Sequence, residues 1–121
     1  MKNQFQPLSG PHAKVEPFSD VDPIARQVVD TIARRLNPEK IYLFGSRAAG
    51  TARSESDVDV LLVHAGKENS RDIRLRTHRL FSRPAFSLDV FVLSQDEFES
   101  QKHVANSLAR EVSETGILCY G

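Results

Sequence analysis

The chain has 121 residues, a hydrophobic share of 40%, and equal numbers of basic and acidic side chains, 16 of each. This length favours one domain and leaves no room for a separate substrate-binding domain. The balanced charge gives the molecule as a whole no electrostatic bias towards nucleic acid or an anionic membrane. The apolar runs are far too short to cross a bilayer, and the single cysteine, Cys119, excludes an internal disulfide.

The beginning of the chain is polar and has no regular pattern. Its first residues lead into a proline-bearing stretch without an apolar h-region, so we predict no secretory signal. Together with the lone cysteine, this favours the reducing cytoplasm as the location. The turn formers in this stretch are Pro7, Gly10, Pro11 and Pro17. We predict an irregular arm over residues 1–20 and a single domain over residues 21–121.

The first predicted elements are a helix and a buried strand. Asp22 is an N-cap acceptor, and Pro23 suits the first helical turn because the N–H that it lacks has no partner there. Apolar side chains then recur at every fourth position until Asn37, which ends the helix. Residues 41–44 form a short apolar run before a glycine, a pattern that predicts a strand entering a turn.

A loop, two strands and a helix are predicted next. Residues 50–56 are small and polar, which indicates a loop, and residues 58–63 form a second apolar run. Residues 67–83 predict a helix with many arginines on its outer face, ended by Pro84. Residues 88–93 predict a third strand.

The C-terminal part predicts one long helix and a last strand. Ser94 and Glu97 have the spacing of a capping box, so a helix begins there. Gly116 ends this helix, and residues 117–120 add a short strand. The residues expected on its core face are Phe98, Ala105, Leu108 and Val112. The order of elements predicts an α/β sandwich, a small sheet with helices packed against it.

Three aspartates stand in or beside the predicted strands. Asp57 and Asp59 share one face because strand side chains alternate, with Cα atoms about 6.5 to 7 Å apart. Asp89 is the only charge in the apolar run 87–93. Acids placed in this way repel each other and lose hydration, and an oxygen-preferring divalent cation compensates for both. An Asp-x-Asp pair is also a common feature of strand ends, so the acids alone leave both interpretations open.

A glycine-serine pair follows the first strand. Gly45 lets backbone N–H groups approach a phosphate closely, and Ser46 adds a hydroxyl donor. A short helix is predicted over residues 47–49, and the start of that turn favours an anion. Most Gly-Ser dipeptides are ordinary turns. The spacing of a Walker motif is absent, which excludes a P-loop NTPase.

The spacing of these groups resembles a known signature. Ten residues separate the glycine-serine pair from an Asp-Val-Asp triplet, and a further aspartate stands on a later strand. The signature residues are Gly45, Ser46, Ser56, Asp57, Asp59 and Asp89. The pattern covers residues 41–93 and resembles the nucleotidyltransferase superfamily that includes DNA polymerase beta. The short length and residues 107–120 resemble its minimal nucleotidyltransferases of bacteria and archaea. The resemblance implies a polymerase-beta-like fold, with a small mixed sheet.

The resemblance also implies a Mg²⁺-dependent reaction with ATP as substrate. Asp57 and Asp59 would hold two Mg²⁺ ions, and Asp89 would ligate one of them and help to activate the acceptor hydroxyl. Such a clamp lowers the pKa of the acceptor and neutralises charge on the leaving group.

The same resemblance implies a nucleotide-binding group. Gly45 and Ser46 would bind the β and γ phosphates, and Arg47 is expected to add positive charge there. Ser56 completes the common form of the motif and is counted with the nucleotide-binding residues.

Many members of the minimal family are antitoxins encoded beside a helical HEPN ribonuclease toxin. This resemblance implies that AMP is transferred to a tyrosine of the toxin, and the sparse core is consistent with a homo- or hetero-oligomer. No membrane is expected as a partner, because the apolar runs are too short to span a bilayer. The arginines of segment 67–83 could contact an acidic partner or RNA, but direct nucleic-acid binding is not expected, because the stacking aromatics of an RNA-binding sheet are missing.

Three alternatives remain open. The chain is a non-catalytic antitoxin that occludes its partner, a small-molecule nucleotidyltransferase of the aminoglycoside type, or half of a split enzyme. Enzymes of the aminoglycoside type generally have an additional helical domain.

Overall fold

The computed structural model describes residues 22–81 and 86–121. Its elements in chain order are α1 (Pro23–Leu36), β1 (Lys40–Phe44), α2 (Ser46–Ala49), β2 (Val58–His64), α3 (Ser70–Leu80), β3 (Leu88–Ser94), α4 (Gln95–Gln101), α5 (Leu108–Thr115) and β4 (Ile117–Tyr120). The arm expected over residues 1–20 lies outside the described residues. Within them, no helix is both long and apolar enough to span a bilayer.

Helix α1 begins and ends where local chemistry predicts. The Asp22 carboxylate accepts from the N–H of Ile24 at 3.0 Å, and Pro23 occupies the first helical position. Asn37 takes a left-handed conformation with φ of 48°, and its N–H donates to the Ala33 carbonyl at 3.1 Å. The buried residues of this helix are Ala25, Val28, Val29, Ile32 and Ala33. The predicted helix is therefore confirmed.

The four strands form one mixed sheet in the order β3-β2-β1-β4. Strand β1 is antiparallel to both β2 and β4, whereas β2 and β3 are parallel and are joined through α3. The register pairs Asp59 with Phe44 of β1 on one side and with Asp89 of β3 on the other. The end of β1, the start of β2 and the start of β3 therefore meet at one end of the sheet.

Helices cover both faces of the sheet. On one face, α1 and α3 pack on a core that includes Ile32, Ile73 and Val60. On the other face, α4 and α5 pack through Phe98 and Val112. This arrangement confirms the predicted α/β fold, a small mixed sheet with helices packed against it.

The arginine-rich helix is shorter than predicted. Helix α3 begins at Ser70 because the Asn69 carboxamide caps it, accepting from the N–H groups of Arg71 at 2.8 Å and Asp72 at 3.3 Å. It ends at Leu80. The expected stop at Pro84 lies outside the described residues.

The single C-terminal helix predicted from the sequence is wrong. The capping box at Ser94 and the end at Gly116 are confirmed, but the chain breaks between α4 and α5. Ser107 causes the break: its hydroxyl accepts from Arg110 N–H at 3.0 Å and donates to a carbonyl of α4 at 2.7 Å. Ala105 is consequently exposed instead of buried in the core.

Candidate active site

Three carboxylates converge at the end of the sheet where β2 and β3 begin. Asp57 directly precedes β2, Asp59 lies within it, and Asp89 lies opposite Asp59 on β3. One oxygen from each of these side chains lies within 4.8 Å of the others. Asp57 and Asp89 are exposed, whereas Asp59 is half-buried between its neighbours. The structure therefore brings together the three acids that the sequence singles out.

The electrostatics of the cluster centre on Asp59. Burial, a hydrogen bond with the Asp89 side chain, and the charges of Asp89, Asp57 and Glu111 raise the pKa of Asp59 to about 6. Closely spaced acids of this kind resist ionisation because each new negative charge lacks a counter-charge. Carboxylate oxygens at this spacing are the donors that Mg²⁺ prefers, so the donor set fits a divalent cation.

The turn at Gly45 is in direct contact with the acid cluster. Gly45 has φ of 78°, in the left-handed region, and a Cβ built on it would stand well inside contact distance of the Asp59 carboxylate oxygen. Its carbonyl accepts from the N–H groups of Ala48 at 3.1 Å and Ala49 at 3.0 Å, which starts α2 at Ser46. The chain needs glycine here for its conformation and for the space that Asp59 fills.

Arg47 does not have the surroundings expected of a phosphate-binding side chain. It is 3% exposed, and its guanidinium pairs with the Asp22 carboxylate at 2.5 Å. The same group donates to the carbonyls of Ser54 at 3.1 Å and Ser56 at 2.8 Å. Since these bonds occupy the guanidinium in the interior, Arg47 braces the loop before Asp57 instead of adding charge at the turn.

Ser56 belongs to the same loop. Its carbonyl accepts from Arg47, and its hydroxyl accepts from the N–H of Arg53 at 2.8 Å. These contacts hold the last residues before Asp57 in place. The nucleotide contact expected of Ser56 stays a prediction.

Two side chains near the acids were not singled out from the sequence. Glu111 of α5 contributes to the raised pKa of Asp59, so it lies close enough to act on that charge. Phe91 stands two residues after Asp89 on the same face of β3; it is 41% exposed, and its ring lies 5.8 Å from that of Phe44. Strand alternation could have placed Phe91 beside the acids, whereas nothing in the sequence brings α5 there.

Comparison with known proteins agrees with this geometry. The profile of a family described as "Nucleotidyltransferase domain" matches residues 25–116. The chain therefore belongs to this family and is a nucleotidyltransferase. A solved structure of a candidate nucleotidyltransferase from Sulfolobus solfataricus is 24% identical, with a TM-score of 0.51, covering 97% of this chain and 87% of that chain. This likeness supports the fold. No curated protein matches the chain significantly.

A first prediction compares two glycines with φ near 80°, Gly45 beside the acids and Gly50 away from them. Gly45→Ala should weaken Mn²⁺ binding at least about 10-fold, because the new methyl group displaces the Asp59 carboxylate. Gly50 has φ of 80°, but a Cβ built on it would meet open space, so Gly50→Ala should cost about 1 kcal/mol of stability and leave Mn²⁺ affinity unchanged. Calorimetric titration with Mn²⁺ measures both. Equal affinities in the two variants would contradict the contact with Asp59.

A second prediction concerns the charge of Asp59. An acid with a pKa raised to about 6 in the folded state destabilises that state above this pH and not below its ordinary pKa of 3.8. In EDTA at pH 7.5, Asp59→Asn should therefore raise Tm by about 2–4 °C, a modest effect because the side chain is half-exposed. At pH 4 the two proteins should melt together. A lower Tm for Asp59→Asn in EDTA at pH 7.5 would refute the repulsion.

A third prediction tests the brace. Arg47→Met should reduce the free energy of unfolding by about 3–5 kcal/mol, because it leaves the buried Asp22 carboxylate without its cationic partner. Asp22→Asn added to Arg47→Met should recover part of this loss, since asparagine still caps α1. Denaturant unfolding measures both. If Arg47→Met unfolds like the wild type and only binds ATP more weakly, the side chain acts on phosphate after all.

Proposed function

We propose that the chain transfers AMP from ATP to a hydroxyl group, in a reaction that needs Mg²⁺. The convergence of Asp57, Asp59 and Asp89 beside the Gly45-Ser46 turn carries this proposal. The three carboxylates are a donor set for a divalent cation, and the turn is suited to phosphate. A nucleoside triphosphate that binds together with its metal ion requires both. The reaction belongs in the cytoplasm, in keeping with the single cysteine.

In this proposal the three acids have different tasks. Asp57 and Asp59 hold two Mg²⁺ ions, and Asp89 ligates one of them. The ions, when bound, lower the pKa of the acceptor hydroxyl and neutralise charge on the leaving pyrophosphate. Asp89 is exposed, so an acceptor can reach it, and its carboxylate can take up the proton that the hydroxyl loses.

The turn after β1 supplies the phosphate contacts. The first N–H groups of α2 have no helical carbonyl partner, because a helix leaves its initial donors unpaired. These donors and the Ser46 hydroxyl can therefore bind the β and γ phosphates. Ser56 supports this task by holding the loop that leads into Asp57.

We further propose that the acceptor is a tyrosine of a HEPN-type ribonuclease toxin and that its modification silences the toxin. The resemblance to the minimal nucleotidyltransferases supports this choice. The exposed position of Asp57 and Asp89 also supports it, since an open site admits a side chain presented by another protein. An antitoxin that acts by occlusion alone would have no need of three acids held within 4.8 Å of one another.

The reaction can be tested with the product of the neighbouring gene. After incubation with ATP and Mg²⁺, intact-mass spectrometry should show one added AMP per modified hydroxyl, and tryptic fragments should place it on tyrosine. Asp57→Asn combined with Asp59→Asn should slow the modification about 10³-fold. Asp30→Asn is the matched control, because Asp30 is an acid on the surface of α1 that pairs with Arg34 on the same helix.

The outcomes separate the alternatives. Full modifying activity in the variant that lacks both Asp57 and Asp59 carboxylates would refute the site. A partner that is inhibited but carries no added mass would favour occlusion. Transfer to an aminoglycoside and not to the protein would favour the small-molecule reaction.

A further inference from the structure

The outer edge of β3 is open in the part of the chain that the structure describes. Within residues 22–81 and 86–121, strand β3 is the last strand on its side of the sheet and pairs only with β2. The bond from Val58 N–H to the Ser87 carbonyl, 2.8 Å long, directs Ser87 towards β2. Because backbone groups alternate in direction along a strand, Leu88, Val90 and Val92 present their N–H and C=O groups outwards.

As far as the structure describes the chain, this edge lacks the usual protection of an exposed strand. Edge strands are normally blunted by charged side chains, proline or a bulge. Strand β3 extends over seven residues, and its only charged side chain, Asp89, belongs to the acid cluster. The remainder of the strand therefore offers an unpaired, apolar ladder.

A groove of about 300 Å³ follows this edge. Its floor is apolar and is formed by residues of β3 together with Leu108, the first residue of α5. Phe91, 41% exposed, lies in the floor on the side of the acid cluster. The groove has α3 on one side and the start of α5 on the other, so an extended chain can lie between them.

The wall formed by α3 is positively charged. Arg71 and Arg74 both line the groove and both are exposed. Among residues 22–81 and 86–121, neither guanidinium has an ion-pair or hydrogen-bond partner, whereas Arg76 on the same helix pairs with Glu68 at 2.7 Å. Two cations without partners above an apolar floor complement a segment that carries acidic and apolar side chains.

We propose that the open edge of β3 binds an extended acidic segment of another protein, which joins the four-stranded sheet as an additional strand. Pairing of the two backbones supplies the affinity for the segment, and Arg71 and Arg74 favour a segment with acidic side chains. A second copy of this chain is a poor occupant, because pairing edge to edge would bring two pairs of arginines together. A nucleic-acid platform usually presents several aromatic rings on which successive bases stack, whereas Phe91 is the single aromatic residue among those that line this groove.

A random library of 12-residue display peptides, panned on the full-length protein without ATP or Mg²⁺, tests this surface. The enriched peptides should be acidic and rich in β-branched residues. Their affinity should fall at least about 10-fold for Arg71→Glu combined with Arg74→Glu. Arg35→Glu combined with Arg79→Glu is the control of equal charge, since neither residue lines the groove, and it should bind as the wild type does. Enrichment of basic peptides, or equal losses in both variants, would overturn the proposal.

A second experiment on one enriched peptide tests whether its backbone pairs with β3. N-methylation of every second amide should abolish binding in one of the two alternating sets and leave it intact in the other, because only one set faces β3. Equal effects of the two sets would refute pairing. Displacement of the peptide by a single-stranded RNA of 20 random nucleotides would assign the groove to nucleic acid instead.

Hydrogen exchange on the full chain identifies other occupants. In the protein alone, the amides of Leu88, Val90 and Val92 should exchange faster than those of Asp89 and Phe91, and the enriched peptide should slow them at least about 10-fold. Protection without peptide would mean that the edge is already covered: by a second copy if it grows with protein concentration, or by this chain if it does not. Peptide binding should survive the Asp57→Asn and Asp59→Asn changes, so failure here leaves the proposed transfer reaction intact.

Discussion

The structure depends on holding like charges together. Three carboxylates whose oxygens lie within 4.8 Å of one another repel, and this repulsion adds to the burial and the hydrogen bond with Asp89 that raise the pKa of Asp59. The fold opposes it with backbone geometry, because the register of β2 between β1 and β3 sets Asp59 beside both Phe44 and Asp89. A sheet buried on both faces cannot easily shift this register, since a slip of one residue would turn its apolar side chains to the wrong side.

The turn at Gly45 and the loop before Asp57 are held by contacts that do not depend on the pairing of the strands. Gly45 fits against Asp59 without a side chain, so the turn and the acid define each other's position. The Arg47 guanidinium then ties the loop before Asp57 to Asp22 at the start of α1. A buried ion pair therefore holds this loop, while Asp57 at the end of the loop is exposed.

Features that depend on near neighbours were predictable from the sequence. The cap at Asp22, the glycine turn and the shared face of Asp57 and Asp59 follow from local chemistry and alternation, and the cluster in the structure agrees with them. The break before α5 was missed because Ser107 lacks the acidic N3 partner that completes the capping box at Ser94, and because the apolar pattern continues across it.

Contacts between distant residues were beyond such reasoning. The surroundings of Arg47 depend on a partner 25 positions away, and the effect of Glu111 on Asp59 depends on how α5 packs. Charge and spacing in the sequence indicate that a guanidinium stands near the turn, but they do not show which way it points. Its role as a brace emerges only when the loop and α1 are seen together.

The position of β3 at the side of the sheet has a consequence for the acids themselves. Asp59 stands on a strand with a neighbour on each side, whereas Asp89 stands on a strand that, within the described residues, has a neighbour on one side only. Its backbone is thus the more compliant of the two, and a small lateral displacement of β3 changes the spacing of the carboxylates while Gly45 and Asp59 stay in place. A segment bound at the open edge of β3 would stiffen that strand, and the separation between the Asp59 and Asp89 carboxylates would become less variable.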